Sequence, residues 1–318
     1  LKSKLTKGHL FRHAPAKSSA GFEAAVIDVA QDFMLAHLAQ IGVSDNLVIK
    51  GGTGLRKFYA GNAGRFSTDL DFALSKHSLQ VEQIQEQLLK VINSYKNDYF
   101  AYKVTERRGR LVIEYETDFI DTFVLSTKID IAPTVWVKPQ LMNWINIPIH
   151  QTYGFELPKI QVINLWENMA EKIARLNRRL LARDIYDLVW IAKTSPYSAF
   201  NKDSVRNISV LKVWTDQFGL SSDVQSWGNA FHADNYNISR WSNMLNPKEI
   251  DDEQIGLLTT PPPQIAELAR DLYQYYGFLA NLTAEENNII KNKSLARKTV
   301  IDRILALHNI NLKRVDIW

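Results

Sequence analysis

Asp69 and Asp71 stand one residue apart in a run, Arg65 to Leu74, where they alternate with Leu70 and Phe72. A period of two is that of a strand, so the apolar residues take one face and both carboxylates share the other. Positions two apart on a strand are about 6.5 Å apart, and at an effective dielectric of ~20 two carboxylates at that separation repel by roughly 2.5 kcal/mol. A divalent cation reverses the sign of that interaction. Hard carboxylate oxygens suit Mg²⁺ (or Mn²⁺) shared between a protein and the phosphates of a nucleoside triphosphate. Upstream, Asn46 to Ile49 form a short apolar, β-branched run, and Lys50-Gly51-Gly52-Thr53 turns it into a helix. A helix start preceded by glycines can take a phosphate, because its first amides lack internal partners and no Cβ atoms hold the anion off. A solvated strand end beside an ordinary glycine turn accounts for the same residues.

A third carboxylate comes from Phe123 to Ile131, where Lys128 and Asp130 fall on one strand face and Ile129 and Ile131 on the other. Glu114 and Glu116, on a strand from Leu111 to Thr117, compete for that place. The strands Tyr99 to Thr105 and Leu111 to Thr117 flank the turn Glu106-Arg107-Arg108-Gly109, which reads as a hairpin. Lys103, Arg107, Arg108 and Arg110 make it basic, as a solvated turn or as a contact for a nucleic-acid backbone. A second constellation lies in EKIARLNRRLLARDIYDLVWIA. It gathers Lys172, Arg175, Arg178, Arg179 and Arg183 in a stretch without an acid, followed by Asp184 and Asp187. On an unbroken helix Lys172, Arg175 and Arg179 share a face, and Arg183 could pair with Asp187.

These blocks, Lys50-Gly51-Gly52-Thr53, Arg65-x-Ser67-x-Asp69-x-Asp71, Ala170-Glu171-Lys172 and Arg183-Asp184-x-x-Asp187-Leu188, occur in the order found in the AbiEii/AbiGii and MenT-type nucleotidyltransferase toxins, which the chain resembles over about residues 22 to 192. The resemblance implies an α/β (α+β) chain: a nucleotidyltransferase-fold N-terminal lobe with a mixed sheet over residues 1–163, and a helical lobe over 164–318, with the site between them. It implies that Asp69, Asp71 and Asp130 hold the metal, and that Asp130 activates an acceptor hydroxyl for attack on the α-phosphate. Lys50, Gly51, Gly52, Thr53, Arg65, Ser67 and Lys172 would bind the NTP, with Lys172 steadying the triphosphate, and Asp184 and Asp187 would complete the cleft wall. Arg107, Arg108, Arg110, Arg175 and Arg179 would contact an RNA acceptor, with a tRNA 3′ end as the implied target and a separately encoded antitoxin as partner. In the first helix the family's Glu-Lys-Asp-aromatic run is replaced by Ala30-Gln31-Asp32-Phe33, so only the Asp and the aromatic match. Two other readings stay open: a transferase acting on a small molecule such as an antibiotic, and a nucleotide-binding module without turnover.

The elements that must position these residues are legible from periodicity. Phe22, Val26, Val29, Phe33, Met34, Leu38 and Ile41 predict a long helix ending at Gly42, and Ser78 to Tyr95 another. Residues 1–18 read as a basic arm without a period, and 133–158 as an irregular connection. Ile160 to Ile163 read as a strand. Asn164 is the expected cap of the next helix, with Glu167 at its third position. Further helices are expected over Val205 to Phe218, Pro263 to Ala280 and Thr283 to His308. The chain of 318 residues is 46% hydrophobic, long enough for two cores, and carries a formal charge of only +4, which permits a polyanionic partner without requiring one. Without cysteine there is neither disulfide nor thiolate chemistry. The N-terminus lacks the apolar core of a secretory signal and no apolar run reaches the ~18 residues of a membrane span, so the expected location is cytoplasmic and off the membrane.

Overall fold

The computed structural model describes residues 4–107, 110–120, 124–178, 181–218, 255–261, 263–291 and 293–308. Arg108 and Arg179 lie outside the described residues. The chain divides into two compact units. The first comprises Leu1–Val135, Pro139–Ile163 and Gly256–Pro261, the second Trp136–Lys138, Asn164–Ile255 and Pro262–Trp318.

The first unit is built on a mixed sheet of seven strands among the described residues: β1 Leu47–Lys50, β2 Leu70–Leu74, β3 Ala101–Arg107, β4 Arg110–Glu116, β5 Leu125–Ala132, β6 Gln140–Met142 and β7 Ile160–Val162. Their order is β3-β4-β5-β2-β1-β7-β6. The β2–β5 and β1–β7 pairs are parallel and the others antiparallel. Along β5, Leu125, Thr127 and Ile129 are buried while Ser126, Lys128 and Asp130 are exposed, the alternation its sequence predicts. Helix α2, Ser19–Gln40, is buried on nearly every side, and Gly42 follows it in the left-handed conformation (φ 76°) that glycine adopts without steric cost. Helix α4, Val81–Asn93, turns Ile84, Leu88 and Ile92 inward.

Two features of this unit depart from expectation. The arm contains a short helix, α1 Lys7–His13, capped by Thr6 with His9 closing the capping box. Histidine in place of Glu or Gln at the third position hides that cap from the usual pattern. The connection expected to be irregular contributes β6, too short to show a period.

In the second unit, α5 Leu165–Arg178 and α6 Ala182–Lys193 are separate helices, not one. Glu167 does not cap α5: Asn164 Oδ1 accepts from the Trp166 amide at 3.0 Å, while the Glu167 carboxylate accepts the Trp136 and Val137 amides at 2.8 Å and pairs with Lys212. A buried carboxylate needs partners, and two amides and an ammonium supply them. Helices α7 Lys202–Phe218, Ile265–Tyr276, Ala284–Lys291 and Lys293–His308 follow. Thr283 and Glu286 form the expected reciprocal cap. No helix among the described residues is long and apolar enough to cross a membrane.

Candidate active site

Strand β1 ends at Lys50, and a helical run begins at Gly51, as helix α3, Gly51–Leu55, and as a wider π-type turn over Arg56–Ala60. Gly51 has φ 68°, and a Cβ there would lie 2.2 Å from Asp71 Oδ2. A Cβ at Gly52 would lie 2.3 Å from Arg65 Nη2 and 3.2 Å from Ser67 Oγ. The two glycines therefore let the turn pass directly beneath Arg65, Ser67 and Asp71, which are the side chains the sequence reading assigns to nucleotide and metal. The Thr53 hydroxyl donates to the carbonyl of Asp69, tying the helix start to the first residue of the Asp-x-Asp pair. Gly51→Ala is expected to lower activity by more than tenfold with a modest loss of stability. A melting curve alongside label transfer checks this, and wild-type activity would show that the close approach is irrelevant.

The sheet sets the acids in a row. In register, Lys50 on β1 faces Asp71 on β2, and Asp71 faces Asp130 on the parallel strand β5. On the far side of Asp130, Arg110 of β4 brings its Nε to 3.3 Å from Asp130 Oδ1. Neighbouring strands are about 4.8 Å apart, so the row Lys50, Asp71, Asp130, Arg110 sets two carboxylates side by side between two cations. Asp69, half-buried, immediately precedes β2. The competing Glu114 pairs in register with Ser126, four residues along β5 from Asp130, and is bonded to Arg107 at 2.6 Å. Glu116 lies farther still. At the tip of the hairpin, Arg107 and Arg110 are opposite one another.

Among the described residues no three Asp, Glu or His side chains are gathered into a ready-made metal cluster. Asp71 and Asp130 are register neighbours on adjacent strands, not part of a closed cage. That fits a magnesium-type ion, which is held by one or two carboxylates and completed by substrate phosphates and water.

The second constellation lies in the second unit. Lys172 is buried at 1% exposure, and its ammonium donates to Asp184 Oδ1 at 3.2 Å and Asp187 Oδ2 at 2.8 Å. Arg175 Nη1 lies 3.5 Å from the Asp184 carboxylate. Because the helix breaks before Ala182, Asp184 and Asp187 come from a second helix and clamp α5 to α6. Contact between Lys172 and a triphosphate would require these buried bonds to be given up. Lys172→Ala is expected to cost about 3 kcal/mol, the lower end for breaking a buried pair, since Arg175 still lies against Asp184. Chemical denaturation checks this, and an unchanged midpoint with weakened NTP binding would restore the direct role.

Sequence reasoning missed what supports the glycine turn from within the first unit. Gln31, fully buried on α2, donates to the Thr68 carbonyl at 3.1 Å and lies 3.4 Å from the Ser67 carbonyl and from Thr127 Oγ1, so it joins the approach to Asp69 with the strand bearing Asp130. Three residues earlier, Asp28 accepts from Arg56 Nε and Nη2 at 3.1 and 3.0 Å, from Lys57 Nζ at 2.9 Å and lies 2.8 Å from His13 Nε2. Asp32 takes Lys57 Nζ at 2.5 Å and the Tyr153 hydroxyl at 2.6 Å, with His150 Nε2 at 3.5 Å. Burial alone would raise both carboxyls. Arg56, then Lys57 and His13, overcome it at Asp28 and hold that group well below the usual carboxylate range, while Lys57 and His150 lower Asp32. Burial and the Asp32 charge push the Tyr153 phenol well above its usual value, keeping it a donor. Arg56 also stacks on Phe66, 3.5 Å from the ring centroid, and so braces the residue between Arg65 and Ser67. One signal was available: Asp28 and Asp32, four apart, share a helix face within a largely apolar stretch, Ala24 to Leu38.

A mixed sheet carrying this row of acids beside a glycine turn suits nucleotidyl transfer, and comparison with known proteins shows the class. The chain belongs to the AbiEii family: the sequence profile of the nucleotidyl transferase AbiEii toxin, type IV toxin–antitoxin system, matches residues 32–272. It is therefore a nucleotidyltransferase toxin of that type of system. The structure is similar to that of MenT4, a nucleotidyltransferase toxin from Mycobacterium tuberculosis H37Rv, with a TM-score of 0.80 and 29% identity, over 96% of this chain and 99% of that one. None of the curated proteins compared with it matches.

Proposed function

We propose that this toxin transfers a nucleotide from an NTP to the 3′ hydroxyl of an RNA, tRNA in particular, in a reaction that depends on Mg²⁺ or Mn²⁺. The observation that carries the reading is the row Lys50, Asp71, Asp130, Arg110, which sets two carboxylates between two cations beside the glycine turn. Asp71 with Asp69 and Asp130 would hold the ion, which when bound neutralises charge on the triphosphate. Asp130 takes the proton of the acceptor hydroxyl; that oxygen forms the new bond to the α-phosphorus and the bond to the leaving pyrophosphate breaks. Lys50, Arg65, Ser67 and the amides at Gly51, Gly52 and Thr53 orient the triphosphate. Arg110, beside Asp130, would meet the phosphate of the acceptor's last nucleotide, with Arg107 next to it at the hairpin tip. Lys172, Asp184, Asp187 and Arg175 act by holding α5 against α6, a role their burial supports better than direct contact with phosphate. The family's type of system supplies an antitoxin as partner.

Label transfer from each of the four NTPs, with and without EDTA, to total RNA, protein and small-molecule acceptors tests the reading. With roughly four phosphate contacts, acceptor KM should rise as about the third power of salt concentration, at ~0.7 to 0.9 per contact. Arg107→Ala/Arg108→Ala should flatten that slope by about 1.5 while single-turnover chemistry stays near wild type. Labelled small molecule with a flat salt response would move the assignment to a small-molecule transferase.

A further inference from the structure

Helix α1 buries Leu10 and His13 but leaves Phe11, between Leu10 and Arg12, 57% exposed. Its ring is not isolated: it stacks on Phe22 of α2 with centroids 4.3 Å apart and planes at 29°, so one face is supported and the other is open. Lys7 Nζ stands 5.9 Å over the Phe22 ring. This stacked pair forms one wall of a hollow of about 750 Å³, closed on another side by Phe119 and Ile120 at the end of the β4 segment. Arg12 and Lys17 line the same hollow. Its acid, Glu23, already accepts the Ser19 hydroxyl at 2.7 Å. An apolar, aromatic floor with three cations around it is complementary to a flat base and its flanking phosphates, the pattern used for single-stranded nucleic acid. The hollow is also tied to the transfer site: His13, next to Arg12, packs its ring on Phe66 at 5.3 Å, and Phe66 lies between Arg65 and Ser67.

We propose that this hollow seats an unpaired nucleotide of the acceptor RNA, with its base on the open face of Phe11 and its phosphates on Lys7, Arg12 and Lys17. The inference rests on RNA being the acceptor and adds where a second part of that RNA is held. It makes the arm of residues 4–18 part of the substrate-recognition surface.

The test is fluorescence anisotropy of the full chain with a fluorescein-labelled single-stranded oligoribonucleotide and with unfractionated tRNA, across a salt series. Phe11→Ala should weaken binding by roughly tenfold, the loss of one stacked base, and Phe11→Trp should restore it. Lys7→Ala/Arg12→Ala/Lys17→Ala should lower the log–log salt slope by about two. None of these residues touches the acid row, so transfer to a dinucleotide acceptor should stay at the parent rate. Parent-like RNA affinity in both variants overturns the hollow alone and leaves the RNA-acceptor reading standing. A parent protein that binds no RNA sinks both. Variants that keep RNA affinity but lose a purified antitoxin overturn the proposal in favour of protein docking.

Discussion

Asp71→Asn is expected to abolish nucleotide transfer, by at least about a thousandfold, while the melting temperature stays the same or rises slightly. Asparagine keeps the size and one carbonyl oxygen of aspartate but removes the charge. The loss of a metal ligand is worth several kcal/mol in the transition state, and each 1.4 kcal/mol is tenfold in rate. Stability moves the other way because Asp71 and Asp130 are register neighbours on adjacent strands, and like charges directly opposite destabilise a sheet by about 0.2–1 kcal/mol. Lys50, opposite on the other side, tempers this gain. Asp69→Asn should behave in the same sense. Transfer of labelled nucleotide and thermal unfolding, measured on one preparation, separate the two quantities. If both variants unfold, the pair is a structural device and the metal assignment fails.

The largest expected loss of stability is at Asp28→Ala, about 5 kcal/mol, the upper end for breaking a buried ion pair, because Arg56, Lys57 and His13 all lose a partner at once. Lys57→Ala should fall in the same range, since Asp28 and Asp32 would then face each other with less compensation. The pH dependence follows from the lowered Asp28 and Asp32 groups. Their folded values lie below the unfolded one, near 3.9, so their contribution is complete above that pH and is lost as pH falls through the folded values. Denaturation midpoints should therefore drop steeply below about pH 4 in the parent and less steeply in Asp28→Asn. A parent whose stability is flat across that window would show that these carboxylates are not held down. Because Arg56 and Lys57 sit on the helical run that starts at the glycine turn, Lys57→Ala at a permissive temperature should also slow transfer. A KM for NTP that rises while kcat holds would place the damage in the cradle rather than in the acids.

Local pattern was enough to single out much of the candidate site. Alternation put Asp69 with Asp71 and Asp130 with Lys128, the glycines at 51 and 52 announced a turn, and the order of the four blocks pointed to the family that the profile match then showed. Each of these signals is carried by neighbours within a few residues, where strand or helix period alone decides which face a side chain takes. What sequence could not decide was pairing between distant segments. Only the sheet order makes Asp130, rather than Glu114, the neighbour of Asp71, and only the β4–β5 register brings Arg110 to Asp130. Charged residues on helices read by default as solvated, so beyond the four-residue spacing of Asp28 and Asp32 nothing local pointed to a buried network whose partners come from α1, α2, the glycine-turn helix and the segment at His150 and Tyr153. Lys172 was legible as a member of a motif, but its burial between Asp184 and Asp187 depended on α5 and α6 being separate helices, which charge spacing does not reveal. The sequence by itself determined which residues have the chemistry and on which local face each lies; the tertiary structure decided which charges meet, because desolvation and pairing across a fold depend on segments far apart in the chain.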